Sequence, residues 1–269
     1  MTVKNVLSIA GTDPTGGAGI HADLKAFSAM GAYGMAAITA VVAQNTRGVR
    51  SFVPLDPSFV GEQIDAVFDD VRVDAVKIGM VANAAIAEVI AERLHHHEAE
   101  TVVLDPVMVA KSGDRLLDDD AVAAIRDTLV PLATVITPNL PEAAVLLDTE
   151  DVTNLGQMED QATQLRGLSC QWALLKGGHL TSETVSVDYL AGPDGVSTYS
   201  SPRVETLNDH GTGCTLSSAI TALLPGHSVP ESVDQAKTYL QDALVASDRL
   251  NVGQGHGPLH HFHQFWPRG

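Results

Sequence analysis

The stretch "NVLSIAGTDPTGGAGIHADL", residues 5–24, starts with a short run rich in Val, Leu and Ile that breaks at Gly11. It then passes through Gly16, Gly17 and Gly19 before a helical pattern begins. A buried strand, a glycine-rich turn and a helix follow from that order. The same order recurs along the chain. "AITAVVA" (37–43), "AVKIGM" (75–80), "TVVLDPV" (101–107), "ATVITPN" (133–139) and "WALLKGG" (172–178) read as buried strands. Helical stretches lie between them. In 58–71, Phe59, Ile64, Val67, Phe68 and Val71 recur near the helical period. "DDDAVAAIRDTLVPL" has acids in its first turn and stops at Pro131. The alternation predicts one α/β domain over residues 1–269, with a mostly parallel central sheet and helices on both faces. Residues 184–200 differ: alternating runs around "GPDG" predict an antiparallel hairpin, followed by helices at about 213–224 and 231–250.

Composition narrows the function. Of 269 residues, 16 are Lys or Arg and 33 are Asp or Glu, a formal charge of −17. Such a surface repels nucleic acid and anionic lipid, so neither is an expected partner. A phosphate ligand must then be held by local devices: backbone amides, a lysine or a metal. Two cysteines without a CxxC motif, no leader pattern and no apolar run of membrane-spanning length predict a cytoplasmic protein with reduced thiols.

In open α/β sheets ligands bind beyond the carboxyl ends of the strands. The sequence puts Gly11, Gln44, Met80, Asp105, Asn139 and Lys176 at those ends. The first glycine loop is not a Walker loop, because Gly17 and Ala18 stand where Lys and Ser/Thr must be. It is a poor dinucleotide fingerprint, because residues 38–50 contain no acid for a ribose. It fits a backbone-lined pocket for a small ligand, or a plain βα turn. Gln44 suits a heterocycle edge or a turn. Asp105 needs a cation or a capping partner. Glu142, three residues after Asn139, suits magnesium or the first turn of a helix. Lys176 suits a phosphate or a salt bridge.

"HGTGC", residues 210–214, places glycines just before a helix, where successive amides and the helix dipole make an anion site. A cysteine at such a helix start is expected to have a pKa below the free value of about 8.5. A hydrolase with Cys214 as nucleophile and His210 as base is the competing reading, but it leaves both glycines unexplained. "HHHE" (95–98) and "HHFHQFW" (260–266) lack metal-site spacing and read as a solvated loop and a terminal packing segment.

Taken in order, these pieces resemble the hydroxymethylpyrimidine/phosphomethylpyrimidine kinases of the ribokinase-like superfamily. The matching stretches are "IAGTDPTGGAGIHADLKAFSAMGAYG", "ITAVVAQNTRGV", "VDAVKIGM", "VVLDPVMVAKSGDRLL", "ITPNLPEAAVLL", "LLKGGH", "NDHGTGCTLSSAI" and "GPLHHFHQFW". The resemblance covers residues 4–266. It implies a ribokinase-like three-layer fold, a homodimer, and ATP and Mg2+ in two successive phosphorylations of a hydroxymethylpyrimidine. It implies that Gly11, Ala18, Val42, Gln44, Met80 and Val107 line the pyrimidine pocket, with Asp23 near it. Asp105 and Glu142 would face the metal. Asn139, Lys176 and Lys237 would face ATP, and Lys176 with Gly211, Thr212, Gly213 and Cys214 would serve the transferring phosphoryl group. A pyridoxal kinase of the same superfamily, or a sensor built on a kinase fold, are the rival readings.

Overall fold

Alternation along the central strands decides which side chain enters which layer. In β1 (Asn5–Ala10), Leu7 and Ile9 join one apolar cluster while Val6 joins another on the opposite face. In β5 (Ala75–Ile78), Val76 and Ile78 take the first face and Ala75 the second. In β6 (Val102–Leu104), Val102 and Leu104 oppose Val103, and in β8 (Trp172–Lys176), Ala173 and Leu175 oppose Leu174. The first face is covered by α2 (Pro57–Phe68), α3 (Ala84–His96), α4 (Asp119–Ala124), α5 (Leu140–Leu147) and α6 (Leu155–Arg166). The second is covered by α1 (Gly19–Ala29), α7 (Thr212–Leu223) and α8 (Val229–Val245). Each fully buried Leu or Ile in these layers stabilises the fold by roughly 1.5–3 kcal/mol before entropy is counted.

The structure is a computed structural model that describes residues 2–108, 117–180 and 184–266. With β2 (Tyr33–Ile38), β7 (Val135–Ile136), β9 (Val185–Gly192) and β10 (Gly195–Pro202), the main sheet has eight strands in the order β10-β9-β8-β7-β6-β5-β1-β2. The pairs from β2 to β8 are parallel, and β9 runs antiparallel to both its neighbours. The three-layer α/β expectation therefore holds, and so does the hairpin, whose turn is Gly192–Gly195. The helix at 119–132 is less regular than its sequence suggests. It passes from α4 through a wider π turn (Ile125–Leu129) into a 3-10 turn at Pro131.

One expected strand is wrong. The run 37–43 is the end of β2 and the start of β3 (Ala40–Asn45), which leaves the main sheet and pairs with β4 (Gly48–Pro54). Thr39 sits at the break. Its N–H donates to Ala10 O, its hydroxyl donates to Met80 O at 2.6 Å, and its carbonyl accepts from Leu55 N–H. These bonds tie the start of the second sheet to the ends of β1 and β5.

Candidate active site

Gly11, Met80, Asp105, Asn139 and Lys176 all stand at or just beyond the carboxyl ends of main-sheet strands. Gln44 lies instead in β3, just past a bulge between Ala43 and Gln44, on the second sheet. Gly11, Val42 and Met80 do converge: a Cβ on Gly11 would lie 3.1 Å from Met80 Sδ and 3.5 Å from Val42 Cγ2. Val107 follows β6 in a tight turn closed by its N–H on Asp105 O. Residues 109–116 of the quoted 103–117 stretch lie outside the described residues.

Gly211 caps α7 with φ 83°, and Gly17 O leaves no room there: a Cβ would come within 1.8 Å of it and within 3.3 Å of Ala18 Cα. Only glycine meets both demands. The first turn-closing bond of α7 is Thr215 N–H to Gly211 O, so the Gly213 and Cys214 amides precede that ladder. Ala18, the N-cap of α1, thus adjoins the start of α7, and the two glycine loops meet.

Lys176 and Asp105 lie beside Gly213, whose Cβ would stand 3.2 Å from Lys176 Nζ and 3.6 Å from Asp105 Oδ2. Lys176 Nζ donates to Asp105 Oδ1 at 2.8 Å, and Thr137 Oγ1 donates to the same oxygen at 3.0 Å. Asp105 is buried, yet Lys176, Lys77 and Thr137 hold its carboxyl below the usual range against the cost of burial. Its proximity in turn raises the Lys176 pKa against desolvation. Asn139 and Glu142 form a capping box on α5: Glu142 N–H donates to Asn139 Oδ1 at 2.9 Å, and Asn139 N–H donates to Glu142 Oε2 at 2.8 Å. Burial, together with the Asp105 carboxylate, pushes the Glu142 carboxyl up to about 7 despite the pull of Lys176. A buried carboxyl that favours a proton sits in a place short of positive charge. Asp105 and Glu142 are also hard oxygen donors of the kind magnesium takes alongside phosphates. Among the described residues no group of three or more His, Cys, Asp or Glu could hold a metal without such help.

Three expectations change. The Cys214 thiol is not acidic: desolvation, with the Asp23 and Asp105 carboxylates, pushes it up to about 11, and Lys77 and the Gly19 amide only partly offset this. Asp23 is not on the pocket wall. It has no exposed surface, and its carboxylate accepts from Ser8 Oγ (2.6 Å), Ser218 Oγ (2.7 Å) and Lys77 Nζ (3.0 Å to each oxygen). Lys237 is likewise buried and paired with Asp188, whose other oxygen accepts from Gly177 N–H at 2.9 Å. Asp23 thereby holds α7 through Ser218, and the Lys237–Asp188 pair holds Gly177, next to Lys176.

Sequence reasoning missed Lys77 and Asp13. Lys77 is a single polar residue in an apolar strand, and that placement was the available signal. Asp13 accepts from His210 Nε2 at 2.8 Å, and with the Cys214 thiol pushed up to about 11 the hydrolase reading lacks an activated nucleophile. His97 pairs with Asp65 and stacks on Phe68, while His260 and His261 are buried in the C-terminal segment, His261 against Thr215.

Helix-start amides and a lysine at the carboxyl end of the sheet can stabilise a transferring phosphoryl group, and the two carboxylates there can hold a cation that neutralises phosphate charge. On this three-layer fold, the arrangement is that of a ribokinase-like kinase. Residues 13–260 match the phosphomethylpyrimidine kinase family, and the chain belongs to it. It is 53% identical to the hydroxymethylpyrimidine/phosphomethylpyrimidine kinase of Escherichia coli (strain K12) over 263 residues, 97% of this chain and 98% of that one. A solved phosphomethylpyrimidine kinase from Clostridium difficile 630 superposes with TM-score 0.80 at 42% identity, covering 90% of this chain and 99% of its own. A pyridoxal kinase from Staphylococcus aureus, solved with AMP-PCP and pyridoxal, superposes with TM-score 0.90 at 30% identity, covering 98% and 96%.

Proposed function

We infer that this protein is an ATP-dependent kinase of thiamine biosynthesis. It phosphorylates 4-amino-5-hydroxymethyl-2-methylpyrimidine to the monophosphate and then the monophosphate to the diphosphate. The observation that carries this reading is the end-to-end 53% identity to a kinase of that name. The convergence of the α7 start, Lys176 and Asp105 beside the Gly11–Val42–Met80 cluster supports it.

In the proposed roles, Gly11, Ala18, Val42, Gln44, Met80 and Val107 contact the pyrimidine. Lys176 and Asn139 face the ATP phosphates, and the 211–214 amides hold the transferring group. Asp105 and Glu142 would hold a magnesium ion, which would neutralise phosphate charge. The transfer needs in-line positioning and charge stabilisation. Losing one amide donor or Lys176 is expected to cost about 3–4 kcal/mol of barrier. In this reading Cys214 takes the hydroxyl proton in the first step, while the second acceptor is already an ionised phosphate. A cytoplasmic homodimer completes the proposal. No helix among the described residues is long and apolar enough to cross a membrane.

The likeness to the pyridoxal kinase favours a second, weaker activity on pyridoxal. One ATP-coupled assay tests both. The expected result is turnover of the hydroxymethylpyrimidine, with a diphosphate product on chromatography, and slower turnover of pyridoxal. Monophosphate as the sole pyrimidine product, with pyridoxal the better substrate, would overturn the main reading.

A further inference from the structure

Asp13 has no exposed surface, and its carboxylate organises the first glycine loop. Oδ1 accepts from Thr15 N–H at 2.9 Å and Thr15 Oγ1 at 2.8 Å; Oδ2 accepts from Gly17 N–H at 3.1 Å and Ala18 N–H at 2.8 Å. His210 Nε2 meets the same Oδ2 at 2.8 Å, from 197 residues away. Hydrogen bonds from His210 and Thr15 more than offset the burial and keep Asp13 ionised. An ionised carboxylate only accepts, so Nε2 carries the proton.

The backbones nest around this contact. His210 N–H donates to Gly257 O at 3.0 Å, and His210 bridges Pro258. A Cβ on Gly17 would come within 2.6 Å of His210 Cδ2, and one on Gly211 within 1.8 Å of Gly17 O. Glycine at 17 and 211 is thus what lets the histidine reach the aspartate. Asp13 therefore holds the amide of Ala18, at the edge of the acceptor pocket, with the same oxygen that holds the residue before Gly211.

We propose that Asp13 and His210 form a positioning latch that fixes the register between the acceptor-binding loop at 11–19 and the phosphoryl cradle at 211–214, and so keeps water from the transferring group. The proposal rests on the kinase reading above. Neither residue touches the reacting atoms. With the latch broken, the acceptor oxygen and the γ-phosphorus of ATP fall out of line. Water then competes as the nucleophile: its oxygen bonds the phosphorus, the bond to the leaving ADP oxygen breaks, and the products are ADP, inorganic phosphate and a proton.

The test compares wild type with His210→Ala and His210→Gln in the full chain. It measures kcat, both KM values and the ratio of ADP formed to phosphoryl groups transferred to the pyrimidine, a monophosphate counting once and a diphosphate twice. A displacement of about 1 Å can cost on the order of 10²-fold in rate, so His210→Ala should lower kcat by about 10–100-fold and leave both KM values within about threefold. The ratio should rise from near one toward two or more. The glutamine amide can reach the same carboxylate with an N–H donor, and should restore most of kcat and a ratio near one. If His210→Ala does not fold, His210→Asn replaces it, its amide being too short to reach Asp13. The latch is overturned by an unchanged kcat in the broken variant, by a loss of kcat at an unchanged ratio, or by a glutamine variant no better than alanine. An inactive wild type would instead count against the kinase reading, whereas an active wild type with an indifferent His210→Ala counts against the latch alone.

Discussion

Cys214 sits third in α7, where the helix dipole favours a thiolate. The surroundings reverse that preference. The sulfur is desolvated and faces the Asp23 and Asp105 carboxylates, and Lys77 compensates only in part, so the thiol stays protonated up to about 11. This gives the base role a pH signature. Below its pKa, the thiolate fraction grows about tenfold per pH unit. If the thiolate takes the hydroxymethyl proton, the single-turnover rate of the first phosphorylation climbs between pH 7 and 10, and that of the second does not. For the same reason Cys214→Ala should slow the first step, by at most about 10²–10⁴-fold, and leave the second nearly intact. Equal losses in both steps would leave Cys214 as a packing residue. Alkylation offers a separate check. Burial also pushes Cys170 up to about 11, so acidity does not separate the two thiols. The proposed site does: ATP should slow iodoacetamide labelling of Cys214 and leave that of Cys170 unchanged, and labelling of Cys214 that ATP does not affect would contradict the site.

At the scale of elements, the caps carry both stability and chemistry. Gly211→Ala would force a side chain into left-handed backbone and onto Gly17 O, at an expected cost of about 2–4 kcal/mol, read as a lower denaturation midpoint together with lost turnover. Glu142 separates the two effects. Glu142→Gln keeps an acceptor for the Asn139 N–H and removes a buried charge, so it should melt at or above wild type while its turnover falls. Glu142→Ala leaves the Asn139 N–H without its acceptor and should be about 1 kcal/mol less stable. A glutamine variant with full turnover would remove Glu142 from the proposed metal site. These elements were legible in the sequence because turn and cap chemistry is local: Asn139–Glu142, "GPDG" and Gly211 announce themselves within a few residues. The split of 37–43 into β2 and β3 was not. Ala, Ile, Thr and Val run through it without a glycine or proline, and the break exists because Thr39 bonds Ala10, Leu55 and Met80, contacts no local pattern encodes.

Across the whole molecule, charge is arranged differently inside and out. The chain carries −17, yet three enclosed lysines among the described residues each meet an aspartate from another element: Lys77 of β5 with Asp23 of α1, Lys176 of β8 with Asp105 after β6, and Lys237 of α8 with Asp188 of β9. Near the site these buried charges are thus matched, with Glu142 the exception. Sequence reading found Lys176 and Asp105 because they end strands, but left Lys77 and Asp188 inside apolar runs, where a lone polar residue has no visible partner. The Lys77–Asp23 pair is the most enclosed, with both side chains at 0% exposure, and Asp23 also anchors Ser218, one turn past Cys214. Removing one partner should leave an uncompensated buried charge, so Lys77→Met is expected to cost about 3–5 kcal/mol. Replacing both, as Lys77→Met with Asp23→Leu, should recover much of that stability, because no charge then remains to be desolvated. Turnover should stay low in the double variant, since α7 loses its tie to β5 through Ser218. Urea midpoints for the two single variants and the double close a thermodynamic cycle. A double variant as unstable as the sum of its parts would mean that the pair is not coupled, and that α7 is held at the sheet edge by its apolar face alone.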